Sequence, residues 1–358
     1  MALAKITLQT FRNHAASELG ETAHFNLLVG ENGAGKTNVL EAISLLSPGR
    51  GLRRASLPEL AKSGSSGGFA IGASLIEQGQ TSARIGTYIE PDRPTRRLVR
   101  INGADASATA LSEWHAVAWL TPAMDGLFTA SAGERRRFMD RMALAIEPGH
   151  AKAVSSLETA LRERNRLLED HGDARWLDAI EAQAAQHGSI VAAGRSQLVA
   201  MLSDELSALP AEPFARPILT YRPGGPLSAE ELLAAFARAR PRDRAAGRAL
   251  TGPHRDELEV VMSGNGQPAA QCSTGEQKAM LIAITLAHGV LAATGRPSVL
   301  LLDEVAAHLD PVRRAALFDR LRAGKAQVWM TGTELAPFAD IDAEAAIWRV
   351  SGGTVERV

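Results

Sequence analysis

Phe25-Asn26-Leu27-Leu28-Val29-Gly30-Glu31-Asn32-Gly33-Ala34-Gly35-Lys36-Thr37 is an apolar run that opens into a glycine-rich octet. The octet matches the pattern G-x-x-x-x-G-K-[ST]. Glycines let backbone N–H groups curl around phosphate oxygens without a Cβ in the way. A helix starting at Lys36 aims its N-terminal dipole at the same anion. Lys36 is then placed to reach the β- and γ-phosphates, and the Thr37 hydroxyl to ligate Mg²⁺. The octet alone is also compatible with a glycine turn before a helix. The strand-like run before it and the helical pattern Asn38–Leu46 after it supply the confirming context.

A second segment, Ser298-Val299-Leu300-Leu301-Leu302-Asp303-Glu304, reads as a buried strand ending in two carboxylates. Asp303 belongs beside Mg²⁺, and Glu304 belongs where it orients the attacking water. Just upstream, Cys272-Ser273-Thr274-Gly275-Glu276-Gln277-Lys278 precedes a long apolar helix. Ser273 and Glu276 form a capping-box pattern. The segment also resembles the signature motif of ABC-type ATPases. That resemblance implies a capped helix start that binds the γ-phosphate held by a second subunit, with Ser273, Thr274, Gly275 and Gln277 in the contact. Ala307-His308-Leu309-Asp310 falls where the D-loop of such ATPases lies. Thr331-Gly332-Thr333 stands where many have a switch histidine, so Thr331 is the expected sensor and hydrolysis is expected to be slow.

The chain has 358 residues, 45% hydrophobic and 22% charged, the balance of a globular protein with room for two domains. One cysteine, Cys272, excludes a disulfide framework and a multi-cysteine metal site. The N-terminus has no secretory pattern, and the longest apolar run, Ala279 to Gly295, is interrupted and too short to span a bilayer. A cytoplasmic protein with no membrane partner is expected. Strands are expected at Lys5–Gln9, Phe25–Val29, Phe69–Leu75, Ala83–Ile89, Arg97–Ile101, Leu258–Met262, Ser298–Leu302 and Ala326–Met330. Residues 111–209 read as all helical, Ile218–Tyr221 as an isolated strand, and Leu227–Ala249 as a helix interrupted at Pro241. The expected fold class is α/β, a P-loop NTPase of ABC/SMC-head type with an inserted helical lobe. The head is assigned to residues 1–105 and 250–358, the lobe to 106–249.

More than two hundred residues separate Thr37 from Ser273, too many for a transporter subunit and without the sustained heptads of an SMC arm. Thr10-Phe11-Arg12-Asn13, the octet continuing as Asn38-Val39-Leu40-Glu41-Ala42-Ile43, and Ser47-Pro48-Gly49-Arg50-Gly51-Leu52-Arg53-Arg54 together resemble the RecF family of bacterial recombination mediators. So do Pro122-Ala123-Met124-Asp125, Gly133–Asp140 and Thr251-Gly252-Pro253-His254-Arg255-Asp256. The resemblance runs along nearly the whole chain. It implies an ATP-induced homodimer that binds ssDNA, linear dsDNA or gapped junctions and helps RecR and RecO load RecA in repair, replication and the SOS response. A weak, DNA-stimulated ATPase would reset it. It also implies nucleotide contacts at Arg12, Asn13, Gly30, Glu31, Asn32, Gly33, Ala34, Gly35, Lys36, Thr37, Asn38, Ser273, Thr274, Gly275, Gln277, Asp310 and Thr331. Lys36, Asp303 and Glu304 would be catalytic, with ATP and Mg²⁺ as cofactors and Thr37 and Asp303 at the metal. The family's Q-loop glutamine has no counterpart around Trp119-Leu120-Thr121-Pro122.

The net charge of −1 hides a bias. Residues 50–100 hold nine Lys and Arg against four Asp and Glu, a local excess of +5. Arg50, Arg53, Arg54, Arg93, Arg96, Arg97 and Arg100 are the DNA-contact candidates, with a solvated strand face or a protein-partner surface as the alternative. Few aromatics argue against base stacking. Arg135-Arg136-Arg137 is open to DNA contact or to internal pairing, and His254 with Asp256 reads as a structural turn. A transporter energy-coupling subunit and a small-molecule P-loop kinase are the competing classes. The motif spacing speaks against the first, and the Asp303-Glu304 pair with the signature-like segment against the second.

Overall fold

A computed structural model describes residues 3–77, 80–170, 172–210, 212–306 and 309–358. In chain order its strands are β1 (Leu3–Phe11), β2 (His14–Leu19), β3 (Phe25–Val29), β4 (Phe69–Glu77), β5 (Gln80–Ile89), β6 (Leu98–Ile101), β7 (Ala104–Ala106), β8 (Ala116–Leu120), β9 (Pro217–Arg222), β10 (Glu257–Met262), β11 (Ser298–Leu302), β12 (Gln327–Gly332), β13 (Ala345–Ser351) and β14 (Thr354–Arg357). Its helices are α1 (Lys36–Ser44), α2 (Leu57–Leu60), α3 (Leu111–Trp114), α4 (Ala132–Ile146), α5 (His150–Glu169), α6 (Ala174–Ala208), α7 (Ala229–Ala246), α8 (Thr274–Ala292) and α9 (Pro311–Ala323).

Two compact units result, residues 1–125 with 285–358, and residues 126–284. The boundaries fall later in the chain than the expected 105/106 and 249/250. Residues 116–120 are a strand, not part of an all-helical block, and β8 pairs in parallel with β11, which ties the chain up to Asp125 to the first unit. Ile218–Tyr221 is not isolated either. It lies in β9, which pairs antiparallel with β10 and keeps residues 257–262 in the second unit.

The first unit holds two six-stranded sheets. One has the order β14-β13-β3-β12-β11-β8, parallel except for the edge strand β14. β11 and its edge neighbour β8 read as continuous apolar runs, buried along their whole length. The other sheet is antiparallel, in the order β2-β1-β4-β5-β6-β7. Its strands alternate, as in β5, where Ala83, Ile85, Thr87 and Ile89 point inward. One buried cluster includes Leu8 and Phe11 of β1, Val39 and Ile43 of α1, Leu28 of β3 and Trp329 of β12. α1 is therefore immersed: even Glu41 and Ser44 have no exposed surface.

Gln327 joins the two ends of this unit. Its side chain is 1% exposed. Its amide donates to the carbonyls of Leu3 (2.9 Å) and Ala23 (3.1 Å) and to Thr22 Oγ1 (3.1 Å). Its carbonyl accepts from Leu3 N (3.0 Å) and Trp329 Nε1 (3.2 Å). Gln327→Leu removes all five bonds and leaves buried groups unsatisfied. A loss of about 3–5 kcal/mol in unfolding free energy is expected, read from urea denaturation.

The second unit is built on α6, which packs against α4, α5, α7 and β9. Two buried ion clusters hold it. Arg164 is fully buried and bonds to Glu181 (2.9 Å), Asp243 (2.7 Å) and the Phe236 carbonyl (2.9 Å). α7 continues through Pro241, and that Arg164 contact occupies a carbonyl in the turn before it. Arg195 bridges Asp140 and Asp256, and Asp256 also accepts from Tyr221 (2.6 Å) and Gly224 N (2.7 Å). Asp256 is thus a structural anion, and His254 bonds the Ala249 carbonyl (2.9 Å). The arginine run pairs internally: Arg135 takes Glu257 with two bonds, Arg136 the Asp256 carbonyl, and Arg137 Glu134.

Candidate nucleotide-phosphate site

β3 delivers the chain to Gly30 at the carboxyl end of the parallel sheet, between β12 and β13. The approach is close: a Cβ on Gly30 would lie 2.1 Å from the Val350 carbonyl oxygen of β13. The crest, Glu31 to Gly33, is exposed, and the chain turns into α1 at Gly35, whose φ is 117°. No side chain caps α1, so its first N–H groups are left for an anion.

Lys36 curls back over the loop. Its Nζ donates to the carbonyls of Gly30 (2.6 Å) and Glu31 (2.9 Å). Burial lowers its pKa, while Glu304 and Asp303 act in the opposite sense. Beside it two hydroxyls converge on one carboxylate oxygen. Thr37 donates to Asp303 Oδ1 at 2.9 Å and Thr331 to the same atom at 2.8 Å. Burial raises the Asp303 pKa, and the two hydroxyl bonds pull it back. Thr331 Oγ1 in turn accepts from the Glu304 backbone N–H (2.9 Å). Glu304 has a φ of 55°, a left-handed conformation that non-glycine residues adopt only under constraint.

A second layer lies behind the loop. Asn13 donates to the Ala34 carbonyl (2.9 Å), and Asn38 donates to Asn13 Oδ1 (2.7 Å). Arg12 forms a two-bond ion pair with the fully buried Glu41 (2.9 and 2.8 Å). Arg53 donates to Asn38 Oδ1 (2.5 Å) and to Glu41 (3.1 Å). Arg12 and Arg53 thus share one buried carboxylate next to the phosphate loop. The sequence reading had no role for Glu41. Its signal was a lone acid in the apolar run Val39–Ile43.

The signature-like segment lies in the second unit. Ser273 and Glu276 form the expected capping box, with Ser273 N to Glu276 Oε2 at 2.8 Å and Glu276 N to Ser273 Oγ at 3.3 Å. Ser273, Thr274 and Gly275 are exposed. Gln277 is not: it is buried and donates to the Cys272 carbonyl (2.9 Å), so it holds the turn and is not presented to a ligand. Ala307 and His308 of the D-loop segment lie outside the described residues. Asp310 caps α9, accepting from Arg313 N at 2.9 Å.

The basic segment divides. Arg50, Arg54, Arg93, Arg96 and Arg100 are exposed. Arg93 lies 3.7 Å from Asp92, and Arg100 pairs with Asp105 (3.2 Å) over the Tyr88 ring. Arg97 departs from the expectation. Its guanidinium is turned inward, donating to Thr87 Oγ1 (2.7 Å) and to the carbonyls of Gly49 (2.7 Å), Ser47 (3.1 Å) and Leu45. It binds carbonyls left open where α1 ends, and burial pushes its pKa down to about 10. Among the described residues no cluster of three or more His, Cys, Asp or Glu is arranged to hold a metal by protein ligands alone, and no helix is long and apolar enough to cross a membrane.

Comparison with known proteins gives the family and the fold. The family described as RecF/RecN/SMC N terminal domain matches residues 2–355. The DNA replication and repair protein RecF of Mesorhizobium japonicum is 47% identical, over 99% of this chain and 97% of that protein. The protein of the same name from Rhizobium leguminosarum bv. trifolii is 42% identical over 99% and 98%. Among solved structures, the recombination mediator protein RecF with ATP, of the RecFOR pathway, superposes with a TM-score of 0.87 at 22% identity, covering 100% of this chain and 97% of that one. The Smc head domain of Pyrococcus furiosus gives 0.55 at 17% identity, covering 100% and 96%. This chain has the SMC-head type of ATPase fold and belongs to the RecF family within the RecF/RecN/SMC class.

Proposed function

We propose that the protein is a DNA-binding switch of DNA replication and recombinational repair, set by ATP and reset by slow hydrolysis. The observation that carries the reading is the convergence of the Thr37 and Thr331 hydroxyls on Asp303 Oδ1, beside Lys36 and an uncapped helix start. Hydroxyl and carboxylate oxygens are the donors Mg²⁺ takes from a protein when phosphates supply other ligands. Thr37 and Asp303 would therefore hold it, and when bound it would neutralise charge on the β- and γ-phosphate oxygens. Gly33, Gly35 and Lys36 present backbone N–H groups to the phosphates, the Ala34 N–H being bonded to the Glu31 carbonyl, and Lys36 moves from its own carbonyls onto them. Glu304 orients water and accepts its proton. Thr331 is bonded to both members of the acidic pair and fixes their spacing, in the place of a switch histidine.

In this reading ATP joins two copies, each presenting Ser273, Thr274 and Gly275 to the nucleotide of the other. The dimer binds ssDNA, dsDNA or gapped junctions through the exposed arginines. RecR- and RecO-like mediators then act on the bound dimer in loading RecA, with the SOS response downstream. DNA stimulates a weak ATPase. The test is electrophoretic mobility shift with gapped, single-stranded and blunt duplex DNA, with and without ATP, over a salt series. ATP-dependent shifts that weaken with salt are expected, and no shift under any condition overturns the reading. Arg93→Ala with Arg96→Ala is expected to weaken all three substrates similarly and lower the salt slope by about 2. Arg97→Ala is instead expected to act on stability, because its four acceptors are internal.

A further inference from the structure

A phosphate loop works only if its peptide planes are turned the right way. In a trans peptide the C=O and the following N–H point in opposite directions. A loop that presents N–H groups inward must therefore satisfy its carbonyls from outside. The Gly30 and Glu31 carbonyls are taken by Lys36. The carbonyls at the end of the loop, of Ala34 and Gly35, are met by two hairpin turns from opposite ends of the chain, and the Gly35 carbonyl also accepts the Asn38 (3.0 Å) and Val39 (3.2 Å) N–H groups of α1.

The β1–β2 turn supplies Asn13 and His14. Asn13 Nδ2 donates to the Ala34 carbonyl at 2.9 Å. His14 is fully buried, and its Nε2 lies 3.1 Å from the Gly35 carbonyl oxygen. A carbonyl only accepts, so Nε2 carries the proton. Burial is the main cause lowering the His14 pKa, which favours the neutral ring. Nδ1 is then the acceptor, 2.9 Å from Ser17 Oγ. The β13–β14 turn supplies Gly353, whose N–H donates to the Ala34 carbonyl at 3.0 Å and whose carbonyl lies 3.3 Å from Ser17 Oγ. Gly353 has a φ of 83°, and a Cβ there would stand 2.2 Å from the Asn13 carbonyl oxygen. Only glycine lets the second turn close on the first.

We infer that His14, acting through the Gly35 carbonyl, is a positioning residue that presents the Lys36 N–H to nucleotide, and that the Ser351–Thr354 turn is part of the same brace. Asn13 and Gly353 set the Ala34–Gly35 peptide, His14 adds a side-chain bond to those of α1 on the Gly35–Lys36 peptide, and the single Ser17 hydroxyl proton goes to Nδ1 and holds the ring. The inference rests on the phosphate-site reading above.

The test measures ATP binding by calorimetry in the presence of Mg²⁺, alongside the melting temperature without nucleotide, on the full chain. His14→Leu is expected to raise the Kd about tenfold, the worth of one buried hydrogen bond. His14→Gln keeps an N–H donor and is expected to return the Kd to within about threefold of wild type. A residue that only packed would lower the melting temperature in both variants and leave the Kd alone. If His14→Leu folds and binds with the wild-type Kd, the inference is overturned. If His14→Leu fails to fold, Ser17→Ala decides: a weakened Kd supports the brace, and an unchanged one overturns it. Lys36→Ala separates the layers. Lost binding there with normal binding in the His14 variants overturns the brace alone. Normal binding in Lys36→Ala removes the phosphate site and the brace with it.

Discussion

Lys36→Ala is expected to weaken ATP binding by about 100-fold or more while leaving the fold nearly untouched. Without nucleotide the ammonium bonds the Gly30 and Glu31 carbonyls, and Glu31 is exposed. Lys36 is itself buried, but its two carbonyl partners lie at the base of the exposed crest, where water can reach them once the side chain is removed. With nucleotide the same ammonium faces phosphate oxygens, where each charge-assisted bond contributes about 1.5–3 kcal/mol. Two such bonds set the 100-fold scale. Lys36→Arg is expected to fail as well, because a planar fork does not replace a compact ammonium inside a tight loop. The check is a thermal-shift series with and without ATP. Wild type gains stability with ligand concentration, whereas Lys36→Ala melts near the same temperature as unliganded wild type and does not respond. A normal response from the variant overturns the assignment of this loop.

The parts of the site that were legible in the sequence are those in which chemistry and neighbourhood coincide. Gly30 to Thr37 form one turn, and Ser298 to Glu304 one strand and its end, so residue type and spacing suffice. Missed elements were legible only in part. Ala116–Leu120 is a five-residue apolar run before Thr121-Pro122, the pattern of a strand buried on both faces. Its short length and helical surroundings hid it. Ala345–Arg357 alternates around Gly352-Gly353, a hairpin signal that pointed to β13 and β14. What those turns do was not legible. The contacts Gly353–Ala34 and Ser17–Gly353 join residues more than three hundred positions apart, and no local pattern encodes such a pair. Arg97 failed for a related reason. An arginine in a basic segment is usually solvated, and only the fold reveals that the end of α1 lies open beside it. The +5 segment is therefore less of a uniform patch than its sum suggests: Arg97 is internal, Arg53 is tied to Glu41 and Asn38, and Arg93 and Arg96 remain among its exposed charges.

Glu304→Gln is expected to stop the cycle after ATP binding. Glutamine matches glutamate in shape, so the left-handed backbone at this position, held by the Thr331 bond to its N–H, bears no new strain. Lys36, Thr37 and Asp303 are unchanged, so nucleotide affinity is expected to stay within about twofold, well under 1 kcal/mol. The amide cannot accept a proton from water, and loss of a general base slows the chemical step by about 10²–10⁴-fold. Wild type would then be a mixture that drains back to monomer, whereas the variant would accumulate as an ATP-bound dimer. Light scattering after size exclusion with ATP and Mg²⁺ reads the mass, and a single-turnover assay reads the chemistry. The two readouts fail separately. Wild-type hydrolysis in Glu304→Gln removes Glu304 as the base, while blocked hydrolysis in a protein that stays monomeric at saturating ATP removes the sandwich. Thr331→Ala adds an intermediate case. It leaves the Glu304 carboxylate in place but cuts both bonds that space it from Asp303, so hydrolysis is expected to fall about tenfold, for a misplacement rather than a loss of the base.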